Sequence, residues 1–152
     1  MITYFGYCGN TSATLAFGGL MTNNDDGIIS RNKTLKFNSN TWTECSGQLN
    51  IGRYSLSGWG TTDNALSFGG YGKSSLSVSE KFNSITWSMC GELNVARDGL
   101  GGSGNASSAL SYSGKVKSSE NASTTTELYT DSVLINDKML ATVYSNKELT
   151  IV

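Results

Sequence analysis

The stretch "ALSFGG", residues 65–70, decides how this chain is read. A ring followed by two glycines would be noise if it occurred once. "LAFGG" already stands at residues 15–19. Aligned on the aromatic, Phe17, Phe68 and Tyr112 share a column, 51 and 44 residues apart. Gly18, Gly69 and Ser113 follow, then Gly19, Gly70 and Gly114. Leu15, Leu66 and Leu110 precede the ring, and further upstream Gly9, Gly60 and Gly104 align, as do Phe5, Leu56 and Leu100. Arg53 and Arg97 share a column whose first member is Ile2.

Downstream the match tightens. "KFNSNTWTECSGQLN" at 36–50 parallels "KFNSITWSMCGELN" at 81–94, with Phe37 and Phe82, Trp42 and Trp87, and Cys45 and Cys90 each 45 apart. The first copy carries an insert after its glycines, "LMTNNDDGIISRN". A third copy begins clearly with "RDGLGGSGNASSALSYSG" at 97–114 and then decays. Glu127, Leu128 and Tyr129 stand for Glu80, Lys81 and Phe82, and Val133 or Leu134 sits near the place of the missing Trp. The tail "KMLATVYSNKELTIV" holds two further β-rich runs. A recurrence at 44 to 51 residues is the mark of a repeat architecture.

Composition agrees. Gly is frequent at 18 residues, Pro is absent, and Ser, Thr and Asn fill much of the remainder. Such residues compete with helix hydrogen bonding and favour short strands and turns. Each unit contains four short β-like runs, which in the second copy are "RYSLSGW", "ALSFGG", "SVSEKFN" and "TWSMC". Leu66 and Phe68 alternate with small residues, as a strand with one buried face requires. Asn-Ser between two aromatics, in "FNSNTW" and "FNSITW", predicts a tight turn. The glycine doublet predicts positive φ or a close backbone approach at the strand end.

Four strands at this period resemble the kelch repeat, one blade of a β-propeller. The marks are Gly18-Gly19, Phe37 and Trp42, then Gly69-Gly70, Phe82 and Trp87. The resemblance covers about residues 2–134 and is strongest over 2–114. The pattern is also similar to degenerate kelch-like arrays of bacteriophage tail and fibre proteins. It implies an all-β fold of about three four-stranded blades in one domain, residues 1–152: blade 1 over about 2–50, blade 2 over about 51–94, and a divergent blade 3 with C-terminal strands over about 95–152. Kelch rings usually close with about six or seven blades. Three routes to closure follow: a longer array, a cap made by the divergent segment, or association of chains. Association is the favoured expectation.

The chemistry is restricted. The chain has no His, which removes His-based catalytic triads and nearly all transition-metal sites. Cys8, Cys45 and Cys90 are an odd set without a CxxC pair and read as small buried hydrophobes. None of the acids falls in a catalytic motif. "NNDDG" at 23–27 offers oxygens but fails the calcium-loop pattern and reads as a solvated turn. No cofactor or metal is expected, and the chain reads as a non-enzyme. A net charge of −1 with no basic patch argues against nucleic acid. No apolar run approaches the roughly 20 residues of a membrane helix. The stretch "MITYFGYCG" lacks a basic segment and an apolar core, so no signal peptide is evident.

Within the resemblance, Trp42 and Trp87 are expected to pack between blades. Arg53 and Arg97 are read as structural, pairing with Glu44, Glu80, Glu92 or backbone carbonyls. Trp59 falls in a column with Cys8 and Ser103, so no framework demands a ring there. Trp59, Tyr54 and Tyr71 are therefore the candidate ligand contacts. The functional expectation is a structural and interaction module, a virion component such as a phage tail or fibre part, whose partners are other protein chains. The alternative is a lectin-like module that binds a surface glycan.

Overall fold

The structure, a computed structural model, describes residues 2–23, 27–116, 122–130 and 147–149. It is all-β, with no helix among the described residues. Three four-stranded antiparallel sheets follow one another along the chain. The first comprises β2 (Gly6–Gly9), β3 (Thr14–Phe17), β6 (Thr34–Phe37) and β7 (Trp42–Glu44). The second comprises β8 (Ser57–Gly60), β9 (Ala65–Phe68), β10 (Val78–Phe82) and β11 (Trp87–Glu92). The third comprises β13 (Gly101–Gly104), β14 (Ser108–Tyr112), β16 (Thr126–Thr130) and β17 (Lys147–Leu149). The first strands are neighbours in space, β2 beside β8 and β8 beside β13.

Each sheet carries a small side ladder at the same columns. In the first unit β1 (Ile2–Thr3) pairs with β4 (Leu20–Asn23), with Thr3 opposite Leu20. In the second, Tyr54 bridges Tyr71. In the third β12 (Arg97–Asp98) pairs with β15 (Lys115–Val116), with Asp98 opposite Lys115. The insert of the first copy adds β5 (Gly27–Ser30) to β4 as a hairpin. The middle of the loop read as a solvated turn, residues 24–26, lies outside the described residues. So do Val133 and Leu134. The fourth strand of the third sheet is drawn from Lys147–Leu149 in the tail, pairing with β16.

Backbone angles repeat with the columns. Gly18 and Gly69 have φ of 71° and 62°, and Ser113 has 60°. Gly19, Gly70 and Gly114 have 104°, 104° and 93°. The first position lies in the left-handed helical region, which a serine tolerates; the second lies beyond it, where only glycine is comfortable. The doublet is also a joint. The N–H of Gly19 donates to the carbonyl of Arg53 at 2.8 Å, and that of Gly70 to the carbonyl of Arg97 at 3.0 Å. A Cβ on Gly18 or Gly69 would stand 2.6 or 2.8 Å from those same carbonyls. The glycines thus let the backbone that opens the next unit close against the sheet just finished. The Asn-Ser turns also repeat: Ser39 and Ser84 have φ of 72° and 78°, and the Asn83 side chain accepts from the N–H of Thr86 at 2.9 Å.

The core is two clusters, one per joint. Between the first and second sheets lie Cys8, Leu15, Phe17, Leu49, Leu56, Ala65, Phe82 and Trp87. Between the second and third lie Leu66, Phe68, Cys90, Leu93, Leu100, Ala109 and Tyr129. Burying each large apolar side chain contributes about 1.5–3 kcal/mol, so the joints hold the chain together.

Candidate functional site

Strand alternation gives each sheet two faces: a back face toward the preceding unit and a front face toward the next. Register places Cys8, Leu15, Phe17 and Thr34 on the front of the first sheet. Gly58, Ala65, Phe82 and Trp87 lie on the back of the second. Phe17 and Trp87 meet edge to face with ring centroids 4.8 Å apart. The Trp87 indole N–H donates to the Thr34 hydroxyl at 2.9 Å. Gly58 makes room for the preceding ring, since a Cβ there would stand 2.3 Å from Phe17. Gly102 does the same for Phe68, at 2.5 Å.

The back faces of the second and third sheets contain buried ion pairs. Arg53 pairs with Glu80 and Arg97 with Glu127, all essentially removed from solvent. Glu80 also accepts from the backbone N–H and side-chain amide of Asn50, each at 2.7 Å, tying down the connection between sheets. Arg53 donates to the Ser67 hydroxyl at 2.8 Å. Burial lowers the pKa of the Arg53 guanidinium, and the Glu80 carboxylate opposes that shift. Neither Glu44 nor Glu92 takes part. Glu44 pairs with Lys33 at the surface, and Glu92 accepts from Ser77. Both pairs are removed from solvent and held by neighbouring backbone and side chains, although the buried Arg53 Nε has no hydrogen-bond partner; they belong to the scaffold.

On the back face of the first sheet the Arg, Glu, Ser and Gly columns change, while Phe37 and Trp42 keep the ring columns of Phe82 and Trp87. Register and alternation put Phe5, Tyr7, Ala16, Leu35, Phe37 and Trp42 on that face. The ion-pair columns hold Ile2 and Leu35 in place of Arg and Glu, and Ala16 replaces Ser67. Tyr7 replaces Gly58 and Gly102. Exposure changes with them. Trp42, expected to pack between sheets, is 51% exposed while Trp87 is 4% exposed. Phe5 is 45% exposed, against 6% and 7% for Leu56 and Leu100, and Tyr7 is 65% exposed. A shallow cleft of about 240 Å³ lies here, lined by Phe5, Ala16, Leu35, Trp42 and the Lys33 stem. Phe5, Tyr7 and Leu35 were not singled out as site residues; the signal was present, since each departs from its own column.

The three proposed ligand contacts do not come together. Trp59 lies along a groove of about 470 Å³ over the first strands, with Tyr7 and Tyr112 also on its walls. Tyr54 and Tyr71 pack at 5.3 Å in a separate cleft of about 360 Å³ beside Lys73, Ser75, Asp98 and Lys115. Among the described residues no group of three or more His, Cys, Asp or Glu is placed to hold a metal ion, and no helix is long and apolar enough to cross a membrane. No protein-family model and no curated protein sequence matches the chain. The fold defines the class: an all-β protein of consecutive four-stranded antiparallel sheets.

Proposed function

We propose that the chain is a kelch-like propeller array that acts as a non-enzymatic structural and interaction module, assembling with other protein chains. The observation that carries this reading is the back face of the first sheet. An end unit that faces water keeps a polar outer face. Here the columns change the opposite way, from Arg, Glu and Ser to Ile2, Leu35 and Ala16, with Phe5 and Trp42 exposed beside them. A contiguous exposed apolar face of this kind marks a contact surface. A viral setting, in a phage tail or fibre, is supported by the likeness of the "ALSFGG" and "KFNxxTW" patterns to arrays of that kind. Sedimentation of the purified chain tests the reading: it predicts a multimer or a bound complex, and a stable folded single chain at all concentrations contradicts it.

A second reading, glycan binding, is favoured by the Tyr54–Tyr71 ring pair, which sits among polar side chains in one cleft. Loss of glycan retention on Tyr71→Ala would support it, and no retention by the unaltered chain on any glycan surface would dismiss it.

A further inference from the structure

We propose that the back face of the first sheet is covered by the front face of the third sheet of a second copy, two chains closing head to tail into one ring. The inference rests on the assembly reading above and names its partner and contact.

The front face of the third sheet carries Leu110, Tyr112, Thr126 and Leu128. It too departs from its columns in the apolar direction, at Leu128. Leu128 stands where the first and second sheets have Lys36 and Lys81. Tyr112 is 42% exposed where Phe17 and Phe68 are 1% and 3% exposed. The two outward faces of the chain are thus the two halves of one joint type; the first has gained apolar residues at several columns, and the third has exchanged a Lys for Leu128 and has the Tyr112 ring exposed. A foreign partner on the first sheet would leave the exposed Tyr112 and the Lys-to-Leu128 change unexplained. A second copy accounts for both faces with a single contact, repeated twice.

The internal joints supply the template. Trp42 occupies the Trp87 column and Thr126 the Thr34 column, so the Trp42 indole N–H has a hydroxyl waiting on the second copy. The closing joint is wider than the internal ones at its inner edge. Tyr112 meets Tyr7 where Phe17 meets Gly58, and Ser113 replaces the glycine that admits the neighbouring carbonyl. Three larger residues fall on the same joint, which is what a consistent change in spacing requires. A head-to-tail contact either closes or grows into a fibre. Three sheets from each of two chains make a ring within the usual propeller range, with both outward faces covered.

The test places Tyr7→Cys and Tyr112→Cys in separate full-length chains of distinguishable mass, both in a Cys45→Ser background, mixed and treated with a short bismaleimide. Cys8 and Cys90 are buried and stay silent. The expected result is a crosslink between unlike chains only, in a particle of twice the 16.2 kDa chain mass. Trp42→Ala, which leaves both tyrosines in place, should release single chains that keep their strand signal. A multimer without that crosslink, or with crosslinks between like chains, overturns the head-to-tail contact and leaves the assembly reading standing. The crosslink in a larger particle overturns the two-chain ring. Single chains of the unaltered protein overturn both readings.

Discussion

Trp87 crosses from the second sheet to the first, its ring 4.8 Å from Phe17 and its indole N–H 2.9 Å from the Thr34 hydroxyl. Trp42, 45 residues earlier in the same column, has the ring of its own sheet's Phe37 beside it at 5.2 Å and lies half open to solvent. One residue type in one repeat position therefore has two energetic roles. Trp87→Ala should cost about 3–5 kcal/mol in urea denaturation, through lost packing and an orphaned hydroxyl. Trp42→Ala, measured on the single chain, should cost less than about 1 kcal/mol. Equal costs would mean that the first sheet's back face is packed in the single chain.

The Arg53–Glu80 pair should be costly to break and cheap to replace. Arg53→Met leaves a buried carboxylate without its cation and should cost about 3–5 kcal/mol. The first unit shows the alternative, with Ile2, Leu35 and Ala16 in the columns of Arg53, Glu80 and Ser67. A triple variant with Arg53→Ile, Glu80→Leu and Ser67→Ala should recover most of that loss. A triple variant no more stable than Arg53→Met would show that the pair holds the second sheet in a way the apolar set cannot.

Glycines with positive φ should separate by what surrounds them. Gly70 has φ of 104°, and a Cβ there would stand 2.9 Å from both the Leu56 Cβ and the Tyr54 carbonyl. Gly70→Ala should cost at least about 2 kcal/mol. Gly99 has φ of 63° with nothing within 4 Å of a Cβ, and Tyr4 and Ser55 already occupy its column at φ of 55° and 52°. Gly99→Ala should cost about 1 kcal/mol. Thermal melts of the two variants decide it, and the reverse order would refute the close approach.

Burial pushes the Cys8 thiol up from 9.0 to about 12. The folded chain therefore holds Cys8 protonated where the unfolded chain ionises it. Its contribution to stability is complete below about pH 9 and is lost as pH rises toward 12. Cys45, only partly buried, should alkylate at pH 8 well before Cys8, read by mass after timed iodoacetamide exposure. Labelling of Cys8 at the same rate would place it outside the joint.

The strand plan was legible because the columns impose physical demands that few residues meet: a glycine at φ near 100°, a ring at a joint, Asn-Ser at a turn. Those demands locate β9 and β10 within two of the runs read in the second copy, while β8 runs on to Gly60 and β11 to Glu92, past the ends of theirs. The paired partners were less legible. Glu80 lies 27 residues from Arg53 and Glu127 lies 30 from Arg97, and their contact depends on how β10 and β16 fold back. The exposure of Trp42 was invisible for a different reason. A residue's column says what it can pack against, while its burial depends on whether a neighbouring sheet is there. The ligand candidates Trp59, Tyr54 and Tyr71 rest on ring chemistry and, for Trp59, on a column that demands no ring; neither says which groove a side chain enters.

Oxidative footprinting of the native particle reads the central claim most directly, by comparing the rates at which Trp42 and Trp87 are modified. In the single chain Trp42 is far more exposed than Trp87. If the back face of the first sheet is an assembly surface, Trp42 in the native particle is modified as slowly as Trp87, and dilution to single chains raises its rate alone. Fast modification of Trp42 at every concentration would show that face open to water and contradict the account.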